Sequence, residues 1–72
     1  MGKYRKLNRS RVQEILREQE LKRWWVAECT GVHKTTLRRW LSGEIDRVHR
    51  THVQSLAGVL NVSEVDIAKR YA

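Results

Sequence analysis

The stretch Leu21-Lys-Arg-Trp-Trp-Val-Ala-Glu-Cys-Thr-Gly-Val-His-Lys-Thr-Thr-Leu-Arg-Arg-Trp-Leu-Ser-Gly43 decides the fold. Val26, Ala27 and Thr30 form one face at helical spacing and predict a helix over about residues 22–29. Gly31 interrupts it. Glycine adopts positive φ without steric cost, which suits a sharp turn between two helices. A second helix is predicted over about 33–42, with Val32 and Leu37 stapled across a His33 cap. Gly43 stands where a left-handed C-terminal cap belongs. Ala27 fits a close crossing of the two helices, because a larger side chain would push them apart. Val32, Leu37 and Trp40 anchor the second helix to the body. Lys34, Thr35, Arg38 and Arg39 then occupy its free face.

Working outward, Val12, Ile15, Leu16 and Gln19 make an upstream stripe. With a Ser10–Gln13 capping box they predict a helix over about 10–19, or one that begins earlier, at Asn8. Downstream, residues 44–50 read as a loop. Thr51 and Gln54 form a second capping box for a helix over about 51–60, with Val53, Leu56, Ala57 and Leu60 as its buried face. Gly58 should cost that helix about 1 kcal/mol relative to Ala, with no visible compensation. Asn61 suits a left-handed cap. Ser63 and Asp66 open a fifth helix, stapled by Val62 and Ile67 and fraying near Tyr71. The expectation is an all-α, five-helix domain over 10–70, without strands, preceded by a basic N-terminal arm over 1–9.

Composition narrows the function. Seventy-two residues make one small domain, with little room for a deep active-site cleft or a separate sensing domain. Fifteen Lys and Arg stand against eight Asp and Glu, a net charge of +7. The excess is polarised. Residues 1–13 hold Lys3, Arg5, Lys6, Arg9 and Arg11 and no acid; 21–43 hold five cations against Glu28; 51–68 hold only Glu64 and Asp66. Such a field points one face at a polyanion. No apolar run approaches the ~18 residues of a membrane span, and no signal segment follows the basic N-terminus. A lone Cys29 fits a reducing cytosol and allows no internal disulfide. The expected location is therefore cytoplasmic.

The 21–43 segment resembles the helix-turn-helix of the phage Cro/repressor (Xre-like) family. Leu21, Val26-Ala27, Thr30-Gly31-Val32, Thr36-Leu37, Arg39-Trp40 and Ser42-Gly43 carry the likeness, and Leu56-Ala57…Leu60-Asn61-Val62-Ser63 extends it through the family's fourth helix. The resemblance implies a five-helix phage-repressor-like DNA-binding domain acting in transcription regulation, as a repressor or in a related phage or plasmid role. It places Lys34 and Thr35 on the first base-contacting positions, with Arg38 and Arg39 one turn on. Arg can meet guanine N7 and O6 with two hydrogen bonds. Lys22 and Arg23 fall on phosphate-gripping positions at the start of the helix before the turn, though Lys22 replaces a small cap. His33 replaces the usual Ser or Thr cap. Arg47, His49 and Arg50 fall where the following loop meets phosphate, and Glu44 and Asp46 are expected to point away. The family also implies a homodimer on a palindromic site, with Leu41, Ile45 and Val48 as its interface here. These three side chains are too few for a stable dimer in solution.

Other features stay open. Trp24 and Trp25 replace polar residues; they either pack on the N-terminal arm near Leu7 or Tyr4, or form an exposed patch for a protein partner, or stack on a base. The patch defines the main rival function, a protein-interaction module docking on a polymerase subunit or a toxin. A nonspecific nucleic-acid or RNA binder is the third. Lys3, Arg5, Lys6 and Arg9 either belong to a loose tail or lie along DNA. Trp40 is expected in the core and Cys29 as a small buried hydrophobe rather than a redox sensor. His49 and His52 lack the two further ligands that a metal site needs. No nucleophile–base pair and no carboxylate pair in a cleft is evident, so neither an enzyme nor a cofactor is expected.

Overall fold

The computed structural model describes residues 2–70. Five helices form: α1 (Arg9–Glu18), α2 (Arg23–Thr30), α3 (Lys34–Ser42), α4 (Arg50–Leu60) and the single-turn α5 (Glu64–Ile67). Three short strands join them: β1 (Tyr4–Leu7), β2 (Arg47–His49) and β3 (Ala68–Arg70).

The helix ends follow local chemistry. Asn8, not a Ser10–Gln13 box, caps α1: its side chain accepts from the Arg11 N–H at 3.2 Å. Gln13 instead donates to the Leu41 carbonyl at 2.7 Å, tying α1 to α3. Lys22 starts α2 without any side-chain cap. Gly31 ends α2 at φ 85, and the Val32 N–H returns to the Ala27 carbonyl at 3.0 Å. That closes the turn between α2 and α3 with paired backbone groups. α4 begins one residue earlier than the Thr51–Gln54 box suggests, because His49 caps it by accepting from the Thr51 N–H. Asn61 ends it in the left-handed region, as expected. Ser63 precedes α5, which gives way to β3 after one turn. The fraying near Tyr71 lies outside the described residues.

The core gathers the apolar stripes of all five helices. Val12, Val26, Leu37, Leu56, Leu60 and Ile67 are each almost wholly buried, and Trp40 packs among them. Ala27 is buried, as a close crossing of α2 requires. Val32 is half-buried against the core rather than inside it.

The strands correct two expectations. The sheet has the order β2-β1-β3 with both pairings antiparallel. Residues 4–7, expected in a basic arm, are therefore its central strand. Leu7 from β1, Val48 from β2 and Ala68 from β3 enter the core from one face of this sheet. The Leu7 N–H donates to the Asp46 carbonyl and the Asn8 N–H to the Ile67 carbonyl, at 3.0 and 2.7 Å. Those bonds lock β1 between chain segments about 40 and 60 residues away. Val48 reads as surface only while its segment is a loop; inside a strand, alternation turns it inward. Leu41 is buried as well, so neither Leu41 nor Val48 offers the exposed dimer contact expected of them. Ile45 stays half-buried.

Candidate nucleic-acid interface

α3 is amphipathic in a way that leaves one face basic. Leu37, Trp40 and Leu41 point into the core. Lys34, Arg38 and Arg39 are exposed, and Thr35 and Thr36 are half-buried between them. His33 caps the helix with Nδ1 accepting the Thr35 N–H at 3.1 Å. An accepting Nδ1 requires a neutral ring with its proton on Nε2. His33 is exposed, at the end of α3 where anions are favoured.

One acid departs from its expected position. Glu44 does not point away; its Oε2 lies 3.9 Å from an Arg38 Nη and 3.3 Å from Ser42 Oγ. Both side chains of the ion pair are mostly exposed, so the pair is weak and a phosphate can compete for Arg38. Asp46 is exposed, and its carbonyl takes part in the sheet edge. Three other acids are absorbed elsewhere. Arg11 draws in Glu14, Glu18 and Asp66 on the α1–α5 side. Its hydrogen bonds to Asp66 and then to Glu14 push the Arg11 guanidinium above its ordinary pKa. That gathering leaves the α3 face with Glu44 as its paired acid.

The remaining basic positions fall into separate groups. Lys22 and Arg23 are exposed at the start of α2. Arg47, His49 and Arg50 lie around the start of α4. The Arg47 guanidinium sits 4.7 Å from the centre of the Tyr4 ring, a cation–π contact. The Arg50 N–H donates to the Lys3 carbonyl at 2.7 Å. Arg9 is the first residue of α1, and its guanidinium donates to the Ser42 carbonyl at 3.1 Å. It thus serves the C-terminal end of α3 rather than a free arm. Lys3, Arg5 and Lys6 lie on or beside the sheet.

The aromatic pair of α2 is exposed, Trp24 by 60% and Trp25 by 40%. Packing on Leu7 or Tyr4 therefore does not bury it, and an open patch remains. Cys29 is exposed too, not a buried hydrophobe. Both follow from α2 having a narrow inner face, filled by Val26, Ala27 and Thr30. Among the described residues no cluster of His, Cys, Asp and Glu could hold a metal ion. Nor is any helix there long and apolar enough to cross a membrane. Two residues of the basic surface, Tyr4 and Lys69, carry no local signal in sequence. Only the strand pairing brings them beside Arg47 and Lys6.

A tight glycine turn, a buried alanine at a helix crossing and a basic helix facing outward define a helix-turn-helix DNA-binding domain. The chain belongs to the Cro/C1-type HTH DNA-binding domain family, whose model matches residues 11–72. This is a family of DNA-binding proteins, not of enzymes. No curated protein and no solved structure matches the chain.

Proposed function

We propose that the chain is a transcription regulator that reads duplex DNA by laying α3 in the major groove. One observation carries the reading: with Leu37, Trp40 and Leu41 buried, α3 presents Lys34, Arg38 and Arg39 to solvent. Lys34, Thr35, Arg38 and Arg39 meet base edges. Lys22, Arg23, His33, Arg47, His49 and Arg50 hold the flanking phosphates and set the register. Six such contacts supply most of the affinity and make it steeply salt-dependent. Two copies on a palindromic site square the discrimination of one domain. Burial of Leu41 and Val48 leaves Ile45 alone of the three candidate contacts, so pairing occurs on DNA rather than in free solution.

A salt-titrated shift assay with duplex, single-stranded and RNA probes tests this. Sequence-selective binding to duplex supports it, and equal affinity for all probes refutes it. A second reading draws on exposed Trp24 and Trp25, which suit a protein partner bound beside the DNA. Trp24→Ala with Trp25→Ala then abolishes partner capture while duplex affinity is kept.

A further inference from the structure

The outer face of the sheet carries an unusual charge row. Directly paired residues in an antiparallel sheet point to the same face, about 5 Å apart at Cβ. The register sets Lys6 opposite Arg47 on one side and Lys69 on the other. All three are exposed. They thus form one line of cations across β2, β1 and β3, some ~10 Å long. On the other face Arg5 stands opposite Arg70. Three of the six registered pairs set cation against cation, and no strand residue is Asp or Glu. Like charges directly opposite destabilise a sheet. The ion pairs centred on Arg11 and Arg38 lie elsewhere on the molecule. Folding alone gives no reason for such a row.

We infer that this sheet face, Lys69–Lys6–Arg47, is a second contact surface for the phosphate backbone of duplex DNA, beside the one made by the helix-turn-helix. It rests on the DNA reading above and extends it. Arg47 belongs to both surfaces, since it heads the segment leading into α4 and also sits in the row. Tyr4 holds the Arg47 guanidinium over its ring, in the same outer layer as the lysines. A hollow of about 510 Å³, lined by Lys6, Arg9, Asp46 and Lys69 among others, also reaches Gly43 at the end of α3. The lysine end of the row therefore borders the C-terminal cap of α3. The ligand is the sugar–phosphate chain flanking the site that α3 reads. Such contacts carry no base information and act through counterion release.

The experiment uses the full chain and two background forms. Lys6→Gln with Lys69→Gln lowers the salt slope of binding to a long duplex by about 1.8, because each neutralised phosphate contributes about 0.9. Sequence preference stays unchanged, and the loss shrinks on a duplex trimmed to the bases under α3. The same variant melts a few degrees higher when free, at low salt, because the repulsion in the sheet is gone. In a background with Lys34, Arg38 and Arg39 changed to Ala, the residual duplex binding weakens further and its salt slope falls again by about 1.8 when Lys6→Gln and Lys69→Gln are added. An unaltered slope with an unaltered melt overturns the proposal, and so does a changed base preference. A poly-glutamate peptide that outcompetes duplex of equal charge at this face overturns it as well, by assigning an acidic protein. The α3 background alone binding every duplex as well as the natural chain would instead refute the DNA reading of α3, so the two failures are distinct.

Discussion

The Arg11 guanidinium donates through Nε and Nη2 to the two carboxylate oxygens of Asp66, at 3.1 and 3.2 Å, across 55 positions of chain. This forked pair ties α1 to the single turn of α5. α5 leads without a linker into β3, so the pair also sets where β3 meets β1. Asp66→Asn should lower the melting temperature, and Arg11→Lys should do the same, because an ammonium cannot span both oxygens. Amide exchange at Lys69 and Arg70 should accelerate more than exchange in α2. Equal acceleration in both places would show that the pair does not position β3.

His33 couples fold to interface, since one ring nitrogen caps α3 while the side chain stays exposed. His33→Ala should cost about 0.5–2 kcal/mol of stability, the usual loss of a cap. His33→Ser should restore the melting temperature and most duplex affinity. His33→Asp should also restore stability, yet weaken duplex binding by placing a carboxylate beside phosphate. Thermal melts and a shift assay on the three variants separate the roles. Equal duplex affinity of the Ser and Asp variants would mean that His33 does not approach the backbone.

Periodicity made the helices legible. Val12, Ile15 and Leu16, or Val53, Leu56 and Leu60, repeat at a spacing that only a helix places on one side. The turn at Gly31 and the cap at Asn61 were equally plain, because few residues accept positive φ. The strands were not legible, for a physical reason. Each spans only three or four residues, too few for alternation to stand out, and β1 shows a single buried apolar residue amid cations. Its partners lie far along the chain, so no local pattern could announce them. That one omission carried the other errors with it. Without the strands, Val48 reads as a surface residue, residues 4–7 read as an arm, and nothing marks Lys69. Trp24 and Trp25 stay open in sequence and Cys29 reads as buried, because composition cannot tell which side of a short helix is filled.

Two glycines in helical surroundings should respond oppositely. Gly58 lies inside α4, is exposed, and a Cβ there would meet nothing within 4 Å. Gly58→Ala should therefore stabilise by about 0.5–1 kcal/mol. Gly31 also has open space around it, but its φ is 85. Gly31→Ala should destabilise by about 1–2 kcal/mol, from the left-handed backbone alone. Denaturant melts test both. A neutral Gly31→Ala would mean that the turn relaxes to negative φ without disturbing α3.

Glu44 is a brake on the interface, since its carboxylate lies near Arg38 while both side chains remain mostly exposed. Glu44→Gln should raise duplex affinity at low salt, by no more than about fivefold given the ceiling of a surface ion pair. The gain should fade as salt rises, because screening weakens the pair and the phosphate contact alike. A gain that persists at high salt would point to a rearranged loop between α3 and β2 instead.

The assignment of base readers and phosphate holders can be tested by contrast. Lys34 and Arg39 are exposed on α3, while Arg23 is exposed at the start of α2. If α3 lies in the groove, Lys34→Ala or Arg39→Ala should lose about 1–3 kcal/mol on the preferred site and flatten base preference at one or two positions. Arg23→Ala should weaken all duplexes alike and lower the salt slope by about one. All three positions are exposed, so the melting temperature should hardly move in any variant, and loss of binding cannot be blamed on unfolding. Selection of bound sites from random duplexes, repeated for each variant, gives preference and affinity together. An Arg23→Ala variant with altered preference, beside a Lys34→Ala variant with none, would reverse the roles of the two helices and place α2 in the groove.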